Sequence, residues 1–329
     1  MGVGRYKVFM TDTIWPDVNI EREGVSKIPD VDFSLSKGGT PEEICEEGKD
    51  CDALMVLFTP MSAKHLEYFT RCKVLVRMGI GFNSVDLAKA TEMGIMVANV
   101  PDYCQEEVAD HTIALFLEIT RKAGLLDRDV KAGGWTMELA NPVPRLQGKT
   151  FGLFGCGGIG QRTGKRAAAF GMNLAGYDPF APEDLFEREN IKRYDSLEKF
   201  VSEVDVLSLH IPLSPETKGI VNTAMLERMK PTSYLINTSR GPLVNEEDLY
   251  DALVNGLIAG AALDVLNEEP PKSLPKIATA PNIVITPHAG WNSLESLPEL
   301  RAKSAEEVVR TYREGRPKFL INKEVLNKK

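Results

Sequence analysis

Long apolar runs are missing from this sequence, and with them any case for a membrane span. The longest, such as Ala53 to Phe58, are strand-sized, against the roughly 20 residues a spanning helix needs. Residues 1–30 hold Asp12, Asp17, Glu21 and Glu23 and so lack the apolar stretch of a secretory signal. Positive charge is short as well: 39 Lys and Arg stand against 47 Asp and Glu, a formal net charge of −8. That balance argues against nucleic acid and against an anionic lipid surface, since both need clustered cations. A small anionic substrate held by a few local cations stays possible. Cysteines are few and odd in number (Cys45, Cys51, Cys72, Cys104, Cys156), with no CxxC pair and no Cys/His cluster at zinc-ligand spacing. The expectation is free thiols, a cytoplasmic protein and no metal site. Nothing nearby in sequence marks Cys104 or Cys156 as an activated thiol.

What is present is alternation. Across 329 residues, 43% hydrophobic and 26% charged, there is room for two domains with their own cores. Short apolar runs alternate with helical patterns. The predicted strands are Tyr6–Met10, Ala53–Phe58, Val74–Arg77 and Ile95–Ala98, then Thr150–Phe154, Leu174–Tyr177, Val206–Leu209, Tyr234–Asn237, Ala261–Leu263 and Ile283–Thr286. Continuous rather than alternating hydrophobicity predicts strands covered on both faces, the mark of a parallel sheet built from βαβ units.

Two junctions are expected. Near Pro101, Asp102 reads as a helix N-cap with Gln105 as capping-box partner, followed by the stripe Val108, Thr112, Leu115, Phe116 and Ile119. Near Ser296, that serine and Glu299 read the same way, ahead of a face made by Ala305, Val308, Val309 and Tyr312 that Gly315 and Pro317 end. Residues 132–148, with Gly133, Gly134, Pro142, Pro144 and Gly148, read as a long loop. The expected organisation is an α/β lobe of residues 1–101 and 297–329, with a nucleotide lobe, 102–296, inserted between them.

The glycine pattern Gly155, Gly157, Gly160 is weak alone, but it follows a predicted strand and opens a helical segment that stops at Gly171. The next strand ends at Tyr177 and delivers Asp178, near the offset of a ribose-binding acid. Gly155 would permit the tight turn, Gly157 the approach of a pyrophosphate, and Gly160 close packing of helix on sheet. The helix N-terminus, with Gly158 and Ile159, would offer N–H groups to phosphate. Asp178 would accept from the ribose hydroxyls and repel a 2′-phosphate, so NAD is preferred over NADP. Further on, His210, Thr238, Arg240, Asp264 and His288 each stand just after an apolar run, where doubly wound sheets bind ligands.

Together these motifs resemble the D-isomer-specific 2-hydroxyacid dehydrogenases over nearly the whole chain. The segments carrying the likeness are Arg77–Gly81, Val108–His111, the glycine turn, Leu209–Thr217, Asn237–Gly241, Leu263–Val265 leading to Glu269–Pro270, and Thr286–His288. The resemblance implies two doubly wound parallel-sheet lobes, a Rossmann nucleotide domain inserted into a flavodoxin-like substrate domain. It implies hydride transfer between NAD(H) and C2 of a small D-2-hydroxy or 2-oxo acid. Arg240 would bind the substrate carboxylate and 2-oxygen, and His288 would be the acid/base. Glu269 would hold the other ring nitrogen and raise the imidazole pKa. The family places its acid directly before proline, which selects Glu269 over Glu268. Asp264 would hold the nicotinamide end. His210, Ile211, Pro212, Thr217, Thr238 and Ser239 would line the cofactor, and the backbone at Met78 and Gly79 would meet the carboxylate. A homodimer through the nucleotide domain is implied.

Trp291, three residues after His288, resembles the tryptophan of the C-terminal binding protein branch, nucleotide-sensing corepressors that keep the dehydrogenase core. It reads equally as a wall of the substrate pocket or as a packing residue. The enzyme reading is favoured over a corepressor-like partner-binding protein because the chain ends nine residues after Leu320 without a long disordered or basic extension. Formate dehydrogenases share the resemblance but carry glutamine at the Glu269 position. His111 reads as a packing residue on a helix and His65 as solvated. The side chain of the substrate stays open.

Overall fold

In a computed structural model describing residues 5–327, the chain forms two compact units. One is the chain up to Cys104 together with the segment from Ser293 onward; the other is Gln105–Asn292. The extreme ends of the expected first lobe, residues 1–4 and 328–329, lie outside the described residues.

The first unit is a five-stranded parallel sheet of β1 (Tyr6–Met10), β2 (Val31–Leu35), β3 (Ala53–Val56), β4 (Val74–Arg77) and β5 (Met96–Ala98), in the order 2-1-3-4-5. That is the flavodoxin-like order. Strand β3 is buried throughout, and Leu54, Phe69, Leu75 and Val97 meet in one core. Strand β2 lacks the continuous apolar run by which the other strands of this sheet are predicted: Val31–Leu35 alternates apolar with polar residues, the pattern of a half-buried strand. As an edge strand it buries only Phe33.

The second unit is a seven-stranded sheet of β6 (Thr150–Phe154), β7 (Asn173–Tyr177), β8 (Lys192–Arg193), β9 (Val206–Leu209), β10 (Tyr234–Asn237), β11 (Gly260–Leu263) and β12 (Ile283–Ile285). All pairings are parallel, in the order 12-11-10-9-6-7-8. The order reverses between β6 and β9, which creates the crevice where doubly wound sheets take ligands. Strands β9, β10 and β11 are buried throughout, as continuous apolar runs require. Strand β8, two exposed residues, leaves no sequence signal. The helix Gln105–Arg121 buries Val108, Thr112, Leu115, Phe116 and Ile119, with the Phe116 ring edge-on to Phe151 at 5.4 Å. Its outer face pairs with the helix Gly158–Ala169 through Arg162 to Glu106 at 2.5 Å and Arg166 to Asp110 at 2.5 Å.

Both expected capping boxes are corrected. The first helix begins at Gln105 rather than after Asp102, whose carboxylate is drawn to Lys303 at 2.8 Å. Ser296 is itself the first residue of the helix Ser296–Glu314, and Glu299 turns to Lys303 at 2.6 Å. The serine instead exchanges hydrogen bonds with Ser293: each backbone N–H donates to the other's hydroxyl, at 2.8 and 3.0 Å. In that helix Ala305, Val308 and Val309 are buried, but Tyr312 stays 44% exposed and covers Tyr6 at 5.0 Å between ring centroids. His65 is buried rather than solvated. Its Nδ1 meets Ser62 Oγ at 3.1 Å and its Nε2 lies 3.4 Å from Glu42 Oε1, because the short helix Ala63–Leu66 packs on Pro41–Gly48. The stretch 132–148 includes one helical turn, Glu138–Ala140. Among the described residues, no helix is long and apolar enough to cross a membrane.

Candidate active site

The glycine turn leaves β6 through Gly155, whose φ of +96° only glycine adopts freely. A Cβ there would come within 2.5 Å of the His210 carbonyl oxygen, and one at Gly160 within 2.3 Å of the Gly155 oxygen. Both positions are closed by backbone. Gly157 is different: it caps the helix Gly158–Ala169 at φ −70°, and a Cβ there meets nothing within 4 Å. The space beside the N-cap is thus open, and the first-turn N–H groups lack intrahelical acceptors. Such an end fits a dinucleotide pyrophosphate, with the Gln105 amide against Gly158, where a Cβ would stand 2.5 Å from Gln105 Oε1. Asp178 stands at the end of β7. Its Oδ2 accepts from Cys156 N at 2.8 Å, and its Oδ1 from Phe180 N at 2.9 Å and Ala181 N at 3.1 Å. The carboxylate therefore ties the glycine turn to the next strand while its remaining lone pairs stay available. Burial, then the Asp178 charge, pushes the Cys156 thiol up to about 12, so it is not an activated nucleophile.

Beyond β9, His210 Nε2 meets Ser208 Oγ at 2.9 Å, while its Nδ1 is buried with no hydrogen-bond partner among the described residues. Burial holds the imidazole down to about 3. Ile211 and Pro212 follow, and the Thr217 hydroxyl closes their loop by donating to Pro212 O at 2.8 Å and accepting from Ser214 N at 2.7 Å. Beyond β10, the Thr238 hydroxyl lies 2.9 Å from that of Thr112, and the Ser239 hydroxyl donates to Leu209 O at 2.7 Å. Arg240 comes next, its carbonyl accepting from Asn237 Nδ2 at 2.8 Å.

Three separated segments converge here. His288 Nδ1 and Glu269 Oε2 are 2.6 Å apart, and Glu269 Oε1 accepts from Leu266 N at 2.7 Å. A Cβ on Gly241 would stand 2.0 Å from Leu266 O, so the backbone after Arg240 lies directly against the loop that carries Glu269. Burial acts to raise the Glu269 carboxyl, but the hydrogen bond and charge of His288, together with the nearby Arg240 charge, hold it below the ordinary carboxylate range. Glu268 points away to Lys272 at 2.8 Å.

His288 takes a left-handed φ of +52°, a conformation that needs support in an L-residue. The support is Asp264. The Asp264 carbonyl accepts from His288 N at 2.8 Å. Its buried carboxylate accepts from Thr286 Oγ1 at 2.6 Å and from the N–H groups of Ala289 and Gly290, each at 2.9 Å. His111 joins them, its Nε2 2.9 Å from Thr286 Oγ1 and 3.2 Å from Asp264 Oδ1. His111 is thus more than a packing residue; the contact spans 175 positions and leaves no local trace in sequence. Trp291 is half-buried just beyond this loop. Met78 and Gly79 belong to the first unit, at the end of β4. There Met78 N donates to Val56 O at 2.8 Å and Gly79 has φ +144°. Among the described residues, no group of three His, Cys, Asp or Glu side chains is placed to hold a metal ion.

Residues 113–290 match the NAD binding domain of the D-isomer specific 2-hydroxyacid dehydrogenases. The chain is 37% identical over 324 residues to a glyoxylate reductase of Korarchaeum cryptofilum, covering 94% of this chain and 97% of that one. It is 35% identical over 317 residues to a D-3-phosphoglycerate dehydrogenase of Methanocaldococcus jannaschii, covering 96% of this chain but only 59% of the relative's length. It is 36% identical over 285 residues to C-terminal-binding protein 1 of Caenorhabditis elegans, covering 83% of this chain and 39% of that protein. Among solved structures it is similar to a glyoxylate reductase from Paecilomyes thermophila, with TM-score 0.87 and 26% identity over 97% of this chain and 98% of that one. It is also similar to a D-lactate dehydrogenase from Aquifex aeolicus complexed with NAD and lactic acid, with TM-score 0.82 and 28% identity over 94% and 96%. The chain belongs to the D-isomer-specific 2-hydroxyacid dehydrogenase family and has C-terminal-binding proteins among its relatives. It is a dehydrogenase dependent on a nicotinamide cofactor.

Proposed function

We propose that the chain reduces a small 2-oxo acid, or oxidises the matching D-2-hydroxy acid, with NAD(H) as cofactor. The observation that carries this reading is the 2.6 Å contact between His288 Nδ1 and Glu269. It occupies one ring nitrogen and leaves Nε2 to exchange a proton with a substrate oxygen. In the reductive direction the imidazolium gives its Nε2 proton to the oxygen at C2; in the oxidative direction the neutral ring takes it back. Glu269, ionised, orients the ring and balances its charge. Arg240 binds the carboxylate and the 2-oxygen through its planar fork. The cofactor, when bound, supplies or accepts the hydride at C2.

The glycine turn, with Gly158 and Ile159 at the helix start, would hold the pyrophosphate. Asp178 would accept from the ribose hydroxyls and disfavour a 2′-phosphate, which supports NAD over NADP. His210, Ile211, Pro212, Thr217, Thr238 and Ser239 would line the cofactor cleft, and Asp264 would hold its nicotinamide end. The relatives support the substrate class: their names include glyoxylate reductase, hydroxypyruvate reductase and glycerate dehydrogenase. Trp291 would bound the substrate side chain. A homodimer through the second unit is supported by its uncovered apolar surface. The helix Ala123–Lys131 buries no residue, and Trp135 and Met137 after it are 89% and 79% exposed.

The test is oxidation of NADH and of NADPH on a panel of glyoxylate, pyruvate, hydroxypyruvate and longer branched 2-oxo acids. Turnover that favours NADH is expected, and turnover that favours NADPH would remove the role given to Asp178. Absence of turnover across the panel by cofactor-bound protein would overturn the enzymatic reading. It would favour the cofactor-sensing role suggested by the likeness to C-terminal-binding protein 1.

A further inference from the structure

We infer that His111 is a positioning residue: through its Nε2–H it locks the hydrogen-bonded knot around Asp264 that presents His288. This inference rests on the role proposed above for His288. It deepens that reading by adding a side chain from outside the strand-end loops.

The tautomer follows from counting donors. The single proton of the Thr286 hydroxyl goes to Asp264 Oδ1 at 2.6 Å. Toward His111 Nε2, 2.9 Å away, the Thr286 oxygen can therefore only accept. The other group facing Nε2 is Asp264 Oδ1 at 3.2 Å, an acceptor when ionised. Burial acts to raise the Asp264 carboxyl, yet His111, Thr286 and the N–H groups of Ala289 and Gly290 outweigh it, and the group stays below the ordinary carboxylate range. Two acceptors facing one ring nitrogen require that nitrogen to carry a proton.

The placement has a mechanical consequence. His111 stands on the helix Gln105–Arg121, seated in the core by Val108, Thr112 and Leu115. That helix is a rigid reference for a loop of irregular backbone. A Cβ on Gly290 would come within 2.9 Å of Asp264 Oδ2 and 3.4 Å of the His111 ring, so loop and helix face are in contact with no space between them. The five-residue stretch Thr286–Gly290 folds back on Asp264 through Thr286, His288, Ala289 and Gly290, and His288 sits within it at φ +52°. Mere packing would be served by any residue of similar volume, whereas this arrangement requires a donor at the Nε2 position. Removing that donor leaves the Thr286 oxygen and Asp264 Oδ1 short of a partner, and the loop gains freedom at the point where His288 is aimed. Displacements near 1 Å at a reacting group cost about 100-fold in rate.

The experiment compares His111→Leu, which keeps the bulk and removes the donor, with His111→Gln, whose amide nitrogen can reach the Nε2 position. Two readouts are needed. Hydrogen exchange at the Ala289 and Gly290 amides should quicken in the Leu variant and stay near wild type in the Gln variant. With saturating NADH and 2-oxo acid, kcat should fall by up to about 100-fold in the Leu variant and recover in the Gln variant. NADH affinity and KM should move far less than kcat. Unchanged exchange in the Leu variant, or a Gln variant as impaired as the Leu one, overturns the inference. If wild-type protein turns over nothing on the panel, the proposed function fails, and the exchange comparison alone then decides the role of His111.

Discussion

Substituting Gly157 by alanine should separate cofactor binding from folding. At Gly157 the backbone (φ −70°, ψ −168°) suits any L-residue, and an added Cβ meets nothing within 4 Å. Alanine is the poorer N-cap, at a cost below about 1 kcal/mol, and the loss of unfolded-chain freedom offsets this by about 0.4–1 kcal/mol. The melting temperature of the cofactor-free protein should therefore barely move. In the proposed site the same methyl stands where the phosphates approach the helix N-terminus. An overpacked methyl costs about 1–3 kcal/mol, or about 5- to 150-fold in NADH affinity. Gly160→Ala should do the reverse, because its Cβ would sit 2.3 Å from the Gly155 carbonyl oxygen. That overlap should cost about 1–3 kcal/mol of folding stability, with melting lowered by roughly 2–4 °C per kcal/mol. Fluorescence titration with NADH and calorimetric melting of both variants give the comparison. A Gly157→Ala variant that binds NADH as wild type does, or that melts as early as Gly160→Ala, refutes the reasoning.

Glu269→Gln keeps the shape of the partner on His288 but removes its charge, so kcat/KM should fall roughly 10²-fold and the acidic limb of the pH–rate profile should move. The carboxyl of Glu269 is held low, so its contribution to stability is complete above the ordinary carboxylate pKa and lost as pH falls through the lower folded value. Glu268→Gln should change neither property, since Glu268 is paired outward with Lys272; an unaltered profile in the Glu269 variant would break the assigned partnership. His210 supplies a pH test of stability. Burial holds its ring down to about 3, so an unfolded chain takes up a proton below roughly pH 6.5 that the folded chain refuses. Stability should then fall by about 1.4 kcal/mol per pH unit between those values. Melting curves of wild type and His210→Asn between pH 7 and 5 should diverge, and parallel slopes would remove His210 as the cause.

The sheets were legible because both of their cores are made of continuous apolar runs. Strands β3, β9, β10 and β11, buried throughout, stand out in the sequence, whereas β2 and β8 do not. An edge strand such as Val31–Leu35 buries one residue in five positions, and two exposed residues have no pattern at all. The polar strand-end residues were visible for the same reason: each interrupts the end of an apolar run. Local capping rules failed at Asp102 and Glu299, because both carboxylates were taken by Lys303, a partner that local spacing does not reveal. His65 and His111 failed similarly. The first is enclosed by helix packing. The second meets Thr286 across 175 positions, and neither neighbourhood is written in the flanking residues. The choice of Glu269 over Glu268 came from family likeness at the following proline. The structure supplies its physical counterpart, since Glu269 also accepts from Leu266 N and is thereby turned toward His288.

The most direct test of proton transfer at His288 is to measure turnover and NADH affinity together in His288→Gln. Glutamine keeps a polar side chain on the loop but cannot shuttle a proton as imidazole does. Turnover of the preferred 2-oxo acid should drop by about 10²- to 10⁴-fold while NADH binds nearly as in wild type. A variant that turns over at close to the wild-type rate would contradict the assignment of His288 as the acid/base.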